Sequence, residues 1–403
     1  MKSLNHIKHE NKNNLILILI LIILIVDIGA MSSHTVYANL GIKGIDATYF
    51  LFLILFLLKV YKKQLDLQSS KTIFILISLY ALTHIYSFWT NNSGSLDQLS
   101  PMLLFLIVVV ILYTIKWEKY LIVILASGLS IIFILIFKSW FEEGLITDSF
   151  SSFFKHSNTL AIILYISSFF TLLASIYTKT YLRAYFVVIT LLSVLVIYST
   201  SSRAVLLTIF IALLSFFIYK FRPNWFKYSF IIVVLFNIVL MFLYVSVSNT
   251  KMAKPINEIS MSLFDKPIFR NAGGRSDIWN TLINEGFVNS PFLGFGYNVH
   301  PSDFGYTFSF TSHNVYIQIL LEVGIIGFII FFMILYYTWA LLMRNLNNVT
   351  TVLSACFFIS MLLYLNFELT FMPNSISFVP IAILQWLGIT LGIKFRDKQK
   401  IQT

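Results

Sequence analysis

Leu15–Val26 reads LILILILIILIV, an unbroken run of leucine, isoleucine and valine. Apolar runs of about 17 to 25 residues recur along the chain, separated by short clusters of charge. That is the length an α-helix needs to cross roughly 30 Å of hydrocarbon. The sequence therefore predicts an all-α polytopic membrane protein with about twelve transmembrane helices.

The composition agrees with a membrane protein and excludes an ordinary soluble domain. Hydrophobic residues make up 58% of the chain and charged residues 11%, whereas about a quarter of a soluble chain is charged. The net charge of +11 does not indicate a nucleic-acid partner, because the basic residues flank the spans instead of lining one face. Cys356 is the single cysteine, which excludes an intramolecular disulfide and a cysteine-based metal site.

The predicted spans are 15–32, 45–61, 71–90, 99–115, 119–139, 158–178, 182–199, 203–220, 227–247, 314–342, 350–371 and 376–394. Lysine and arginine concentrate in every second connection and in the C-terminal tail, as the positive-inside rule requires of cytoplasmic segments. Both termini are therefore expected in the cytoplasm. The whole chain, 1–403, reads as a single integral membrane domain.

The one long connection, 248–313, is predicted to be an extracytoplasmic loop between the ninth and tenth spans. It is small for an independent core, so we expect it to pack back onto the helices. Apolar residues recur at three- and four-residue steps over 276–289, which predicts a short amphipathic helix.

Three arginines of the outer side are candidates for binding an anion. Arg203 opens the eighth span, Arg275 directly precedes the loop helix, and Arg270 lies five residues upstream. The guanidinium fork fits phosphate oxygens, and a helix N-terminus adds backbone N–H donors. The alternatives are an interfacial arginine at Arg203 and a solvated loop charge at Arg275.

His313 opens the tenth span and is a candidate general base, although a lone histidine at a helix end is usually a cap or a packed residue. Asn314, Gln318 and Glu322 follow it at i, i+4 and i+8 steps, so they share one helix face. Polar groups at membrane depth usually face a cavity or a partner. Further buried polar candidates are Glu368, Asn366 and Asp27, and we attribute the last two to helix–helix hydrogen bonding.

No P-loop, dinucleotide fingerprint, His-Glu-x-x-His motif or nucleophile elbow occurs in the sequence. No pair of nearby aspartates is spaced to hold a divalent metal. The expected chemistry therefore uses neither metal nor cofactor, and arginines supply the positive charge.

Five stretches carry a family resemblance: KHSNTLA at 155–161, STSSRAVL at 199–206, GRSDIW at 274–279, SPFLGFGY at 290–297 and SHNVYIQILLEVGIIG at 312–327. In order and placement they resemble the O-antigen ligase and O-antigen (capsular polysaccharide) polymerase family of bacterial membrane proteins. The similarity covers about residues 155–340.

The resemblance implies a metal-independent, C-type glycosyltransferase that uses an undecaprenyl-pyrophosphate-linked oligosaccharide at the outer face of the cytoplasmic (inner) membrane. Arg203 and Arg275 match positions that hold the pyrophosphate, and His313 matches the position that activates the acceptor hydroxyl. Arg270 has no family counterpart. A base opposite the leaving group implies inversion at the anomeric carbon.

The specific reaction stays open at this point. The excess of lysine over arginine and the many isoleucines indicate an AT-rich genome, which is typical of many Gram-positive bacteria. These bacteria lack the lipid A–core acceptor that an O-antigen ligase needs. The composition therefore favours a repeat-unit polymerase for capsule, exopolysaccharide or O-antigen. The expected partners are the lipid bilayer, the growing glycan acceptor, a chain-length regulator and a flippase. The competing class is a lipid-linked oligosaccharide flippase or transporter, against which no internal repeat is found.

Overall fold

The computed structural model describes residues 2–61, 67–91, 96–143, 149–248, 253–264, 275–306, 311–373 and 375–395. Over these ranges the regular elements are helices. The α-helices are α1 (Lys2–Asp27), α2 (Thr35–Tyr61), α3 (Leu67–Asn91), α4 (Leu96–Thr114), α5 (Lys119–Glu142), α6 (Ser157–Tyr177), α7 (Thr180–Ser199), α8 (Arg203–Phe221), α9 (Pro223–Phe226), α10 (Ser229–Ser248), α11 (Ala253–Phe264), α12 (Arg275–Thr281), α13 (Val315–Met343), α14 (Val349–Tyr364) and α15 (Val379–Lys394).

Nine helices in the described ranges are long and apolar enough to cross a membrane, and three further apolar helices are shorter. Together they overlap all of the predicted spans. A helix satisfies its own backbone hydrogen bonds, which is what hydrocarbon demands of a spanning segment. The predicted all-α polytopic fold is confirmed.

The helices form a bundle with a buried centre and a lipid-facing periphery. In the most apolar 18-residue stretch of α6, 89% of the residues are buried inside the protein, whereas 17% of the residues in the corresponding stretch of α8 are buried. Helices α14 and α15 pack with α6 in the centre. The exposed apolar side chains of α7, α8 and α10 are the surface that a bilayer would cover.

Two hydrogen bonds fix which helix ends lie together. Tyr219 near the end of α8 donates its hydroxyl to the carbonyl of Leu346 (3.0 Å), just before α14 begins. Because these two helices pack against each other and are antiparallel, the start of α8 lies at the same end of the bundle as the end of α14. The backbone N–H of Val315 donates to the carbonyl of Leu365 (2.8 Å), which brings the start of α13 to that end as well.

Helix α13 is interrupted at Gly324, whose φ of 62° and ψ of −166° are not helical. Residues 291–296 of the long loop (248–313) lie against this interruption. Four backbone hydrogen bonds join them: Phe295 N to Leu321 O (2.7 Å), Gly296 N to Glu322 O (3.0 Å), Ile325 N to Pro291 O (2.8 Å) and Ile326 N to Phe292 O (3.3 Å). The inserted segment satisfies backbone groups that the broken helix leaves open, as a membrane interior requires.

Residues 275–289 are helical in three successive geometries. Helix α12 continues into a π-helical turn at Leu282–Gly286 and a 3-10 turn at Phe287–Asn289. Its apolar face packs on the first turns of α13 through a small cluster that consists of Ile278, Trp279, Leu282, Ile317 and Leu321. The helix is thereby fixed on the residues that follow His313.

Two buried polar side chains differ in the hydrogen bonds they make. The hydroxyl of Thr48 on α2 donates to Oδ2 of Asp27 on α1 at 2.6 Å, so the helix–helix bond predicted for Asp27 is present. Asn366 instead donates to the carbonyl of Leu363 (3.1 Å) within its own turn. The prediction of a helix–helix bond for Asn366 was wrong, because this residue follows the end of α14 and bonds the helix's last carbonyls.

Candidate functional site

Arg275 is the first residue of α12, and its guanidinium reaches the segment that follows α14. The Nη2 group donates to the carbonyl of Phe367 (3.0 Å) and to Oε1 of Glu368 (3.4 Å). The guanidinium carbon also lies 5.9 Å from the centre of the Phe367 ring, a cation–π arrangement. Arg275 therefore connects the long loop to the end of α14.

His313 is held from both sides by its neighbours. The carbonyl of Ser312 accepts a hydrogen bond from the buried indole N–H of Trp279 (2.8 Å). Asn314 caps α13, because its side-chain oxygen accepts from the N–H groups of Tyr316 and Ile317. The backbone of His313 itself has a φ of 50°, a left-handed conformation that is uncommon outside glycine and asparagine.

Glu368 follows α14 and contacts residues at the starts of α6, α12 and α13. Its Oε1 accepts from Nδ2 of Asn158 (2.9 Å), in the first turn of α6, as well as from Arg275. Its Oε2 lies 3.3 Å from Nδ1 of His313. The Glu368 side chain is only 15% exposed, against 30% for Arg275 and 31% for His313. The largely buried carboxylate of Glu368 therefore has a polar partner at each of its two oxygens.

The electrostatics of this cluster keep Glu368 ionised. Burial raises the pKa of Glu368, whereas the hydrogen bond and the positive charge of His313 lower it. The charge of Arg275 and the hydrogen bond from Asn158 lower it further, and the resulting pKa lies below the ordinary glutamate value.

An ionised carboxylate only accepts hydrogen bonds, so Nδ1 of His313 is the donor in this pair. In neutral imidazole the other nitrogen, Nε2, is then the acceptor. The cluster therefore presents a fixed imidazole with a basic nitrogen, next to a guanidinium. This combination can remove a proton and stabilise an anion at one place.

Arg203 is the first residue of α8 and is partly exposed. It follows Ser201, whose φ of 52° is again left-handed, and the buried Ser202. Since α8 runs antiparallel to α14, Arg203 lies at the end of the bundle that carries Glu368.

Gln318 and Glu322, two members of the predicted polar stripe, bind the long loop. Gln318 donates to the carbonyl of Val299 (2.9 Å) and to Oε1 of Glu322 (2.8 Å). The same oxygen accepts from the backbone N–H of Asn298 (3.0 Å). These residues clamp the loop to α13, below His313, and Asn314 caps the helix.

A narrow cavity lies beside this clamp, lined in part by Gln318, Glu322 and Leu369, with a volume of about 10 Å³. That is room for about one water molecule. A sugar ring is too large to enter it.

Of the candidate residues, the structure brings Arg275 and His313 onto one carboxylate, whereas Arg270 lies outside the described residues. Two members of the cluster are not among the predicted site residues. Asn158 lies in the KHSNTLA stretch at the start of the sixth span, and Glu368 was noticed only as a buried polar group. In the sequence, each of these two residues is recognisable only as a polar residue near the end of a span. That feature does not show which other side chain the residue contacts.

Residues 187–332 match a family model described as O-Antigen ligase. The matched segment contains Arg203, Arg275 and His313, while Asn158 and Glu368 lie outside it. No curated protein matches the chain. The match supports glycan transfer of the O-antigen ligase type in an integral membrane protein. Residues 187–332 are therefore similar to the O-antigen ligase family, and the resemblance predicted from the sequence is confirmed.

Proposed function

We propose that this protein is a metal-independent, inverting glycosyltransferase of the bacterial cytoplasmic membrane. Its donor is an undecaprenyl-pyrophosphate-linked oligosaccharide, which it joins to a growing glycan at the outer face. The observation that carries the proposal is the position of Glu368, whose two oxygens contact the imidazole of His313 and the guanidinium of Arg275.

Arg275 is suited to bind the pyrophosphate of the donor. With the described residues only its Nη2 forms hydrogen bonds, so the N–H groups of Nε and Nη1 remain as donors on either side of Nη2. Phosphate oxygens accept charge-assisted hydrogen bonds of this kind. Arg203 and Arg270 are proposed as further pyrophosphate ligands, Arg203 from the same end of the bundle.

His313 is suited to act as the general base. An acceptor hydroxyl gives its proton to Nε2, and its oxygen forms a bond to the anomeric carbon of the donor sugar. The bond from that carbon to the pyrophosphate oxygen breaks, and the lipid pyrophosphate leaves with the electron pair. Glu368 stabilises the imidazolium that forms, and the arginines stabilise the charge on the leaving group.

Inversion at the anomeric carbon is part of the proposal. The hydroxyl that His313 activates attacks the carbon from the side opposite the departing pyrophosphate. A single displacement of this kind inverts the anomeric configuration.

We further propose that the glycan acceptor is a second lipid-linked repeat unit, so that the product is capsular polysaccharide, exopolysaccharide or O-antigen. A chain-length regulator and a flippase are then the natural partners. The second candidate is a ligase that transfers the glycan to a different acceptor, which the description of the matched family favours.

The test is a reaction with the purified protein in vesicles. Lipid-linked repeat units are supplied with a metal chelator, and the products are separated by size. A ladder of lipid-linked multimers with inverted linkages is the expected result. Transfer only to an added lipid acceptor would identify the ligase, and movement of intact donor across the bilayer without a new glycosidic bond would identify a flippase.

A further inference from the structure

Helix α11 (Ala253–Phe264) has two faces of different polarity. Ile256 and Ile259 are three positions apart and therefore share a face, and Leu263 occupies the next position of that face in the sequence. Lys254 and Glu258 fall on the other side of the helix and are exposed. Such a pattern is typical of a helix with one apolar surface to bury.

The described part of the chain covers this apolar face only in part. Ile256 is partly exposed, and the side chain of Ile259 is 62% exposed. Neither of the two hydrophobic clusters of the described residues includes a residue of α11. The face must therefore be covered by something other than the described residues, or remain in water.

The chain connection places α11 at the membrane surface. Trp339, near the end of α13, donates its indole N–H to the carbonyl of Lys227 (3.1 Å), so α10 starts at the opposite end from Glu368 and finishes at the site end. Four residues separate the end of α10, at Ser248, from the start of α11, at Ala253. Even a fully extended connection of this length spans at most about 18 Å.

Helix α10 also presents a continuous apolar surface outward, for example at Ile238 and Leu243, which are 50% and 51% exposed. The bilayer that covers this surface ends in a headgroup layer roughly 5 to 8 Å thick. An amphipathic helix tethered so closely can lie in that layer with its apolar face toward the acyl chains.

We infer that α11 is a membrane-surface helix whose Ile256–Ile259 face inserts into the outer leaflet. It holds the start of the outer loop at the level of the headgroups, which is also the level at which a lipid pyrophosphate lies. This inference concerns the loop's contact with lipid and does not depend on the proposed reaction.

Site-directed fluorescence labelling tests it. Cys356 is buried in α14, so a cysteine introduced on the surface can be labelled selectively, and the unmodified chain reports background labelling. Ile259→Cys and Met261→Cys are labelled with an environment-sensitive fluorophore and placed in vesicles of phosphatidylglycerol and phosphatidylcholine. Met261 is the matched control, because it is also exposed (44%) but lies on nearly the opposite face, two residues on.

A nitroxide phospholipid with its label near the headgroup should quench the fluorophore at position 259 severalfold more than the one at 261. Aqueous iodide should show the reverse order. Equal quenching by iodide at both positions would overturn the inference. So would shielding of position 259 from both quenchers together with disulfide cross-linking between two copies, which would assign the face to a second chain.

Discussion

Nδ1 of His313 lies 3.3 Å from Oε2 of Glu368, although 55 positions separate the two residues in the chain. His313 precedes α13 and Glu368 follows α14, and the bond between Val315 and Leu365 brings these two helix ends together. The pairing fixes the imidazole by its Nδ1 and leaves Nε2 for proton transfer. Each of the following predictions depends on this cluster or on the elements that hold it.

Replacing the proposed base should stop glycan transfer without loss of the protein. His313→Ala is expected to lower the transfer rate about 100- to 10,000-fold, the usual contribution of general base catalysis. In cells, lipid-linked single repeats should accumulate while polymer disappears. His300→Ala is the matched control, because this histidine lies in the same long loop and directly precedes the short helix Pro301–Phe304. Unchanged polymer yield in His313→Ala would refute the catalytic role.

Glu368 should act as a positioning residue. Glu368→Gln keeps the shape but removes the charge, and one charge-assisted hydrogen bond is worth about 1.5 to 3 kcal/mol. We expect kcat to fall about 10- to 100-fold with little change in the donor KM. Glu368→Asp, which retains a carboxylate, should recover part of the rate. Equal rates for the Gln and wild-type proteins would contradict this role.

Arg275 should require its guanidinium, and not only its charge. Arg275→Lys places a compact ammonium where a planar fork contacts both Phe367 and Glu368. The expected loss in kcat/KM for the lipid pyrophosphate donor is about 10- to 100-fold. Arg222→Lys, which changes an exposed arginine at the opposite end of α8, is the control and should behave like wild type. Full activity of Arg275→Lys would exclude bidentate binding of the pyrophosphate.

The pKa of Glu368 predicts how stability depends on pH. Because the folded protein lowers this pKa, the ionised carboxylate stabilises the fold at pH values above the unfolded pKa. That contribution is lost as the pH falls through the folded pKa, below the ordinary glutamate value of about 4.3. The difference in melting temperature between wild type and Glu368→Gln in detergent should therefore be largest near neutrality and shrink in acid. A constant difference across this range would show that the charge is unimportant.

Gly324 should be indispensable for the interruption of α13. The φ of 62° and ψ of −166° at Gly324 lie in a region that is essentially restricted to glycine and costs another residue about 1 to 3 kcal/mol, and a Cβ at this position would also overlap the backbone of Phe292. Gly324→Ala is therefore expected to reduce thermal stability and transfer activity together. Gly305→Ala is the control, because its φ of 77° and ψ of 9° are left-handed helical, which costs about 1 to 2 kcal/mol, and its Cβ would meet no atom within 4 Å. Equal losses in the two variants would show that the loop does not pack tightly against the break.

The sequence by itself determined that the chain is helical and crosses a membrane. Long apolar runs such as Leu15–Val26 leave hydrocarbon as the only suitable surroundings, and hydrocarbon allows only structures that satisfy their own backbone. Local chemistry also marked the arginines and His313 as candidates, since a guanidinium fits phosphate oxygens and an imidazole can take up a proton near neutral pH.

The tertiary structure decided which of these groups meet. Helical periodicity specifies one face of one helix, whereas the contact of Glu368 with Asn158, Arg275 and His313 requires three helix ends and the long loop to converge. It also decided that α13 breaks at Gly324, because that conformation is stable only with residues 291–296 supplying the missing hydrogen bonds. Hydrogen bonds between distant segments have no periodic signature in a sequence, and for this reason only the folded arrangement revealed Glu368 as the centre of the site.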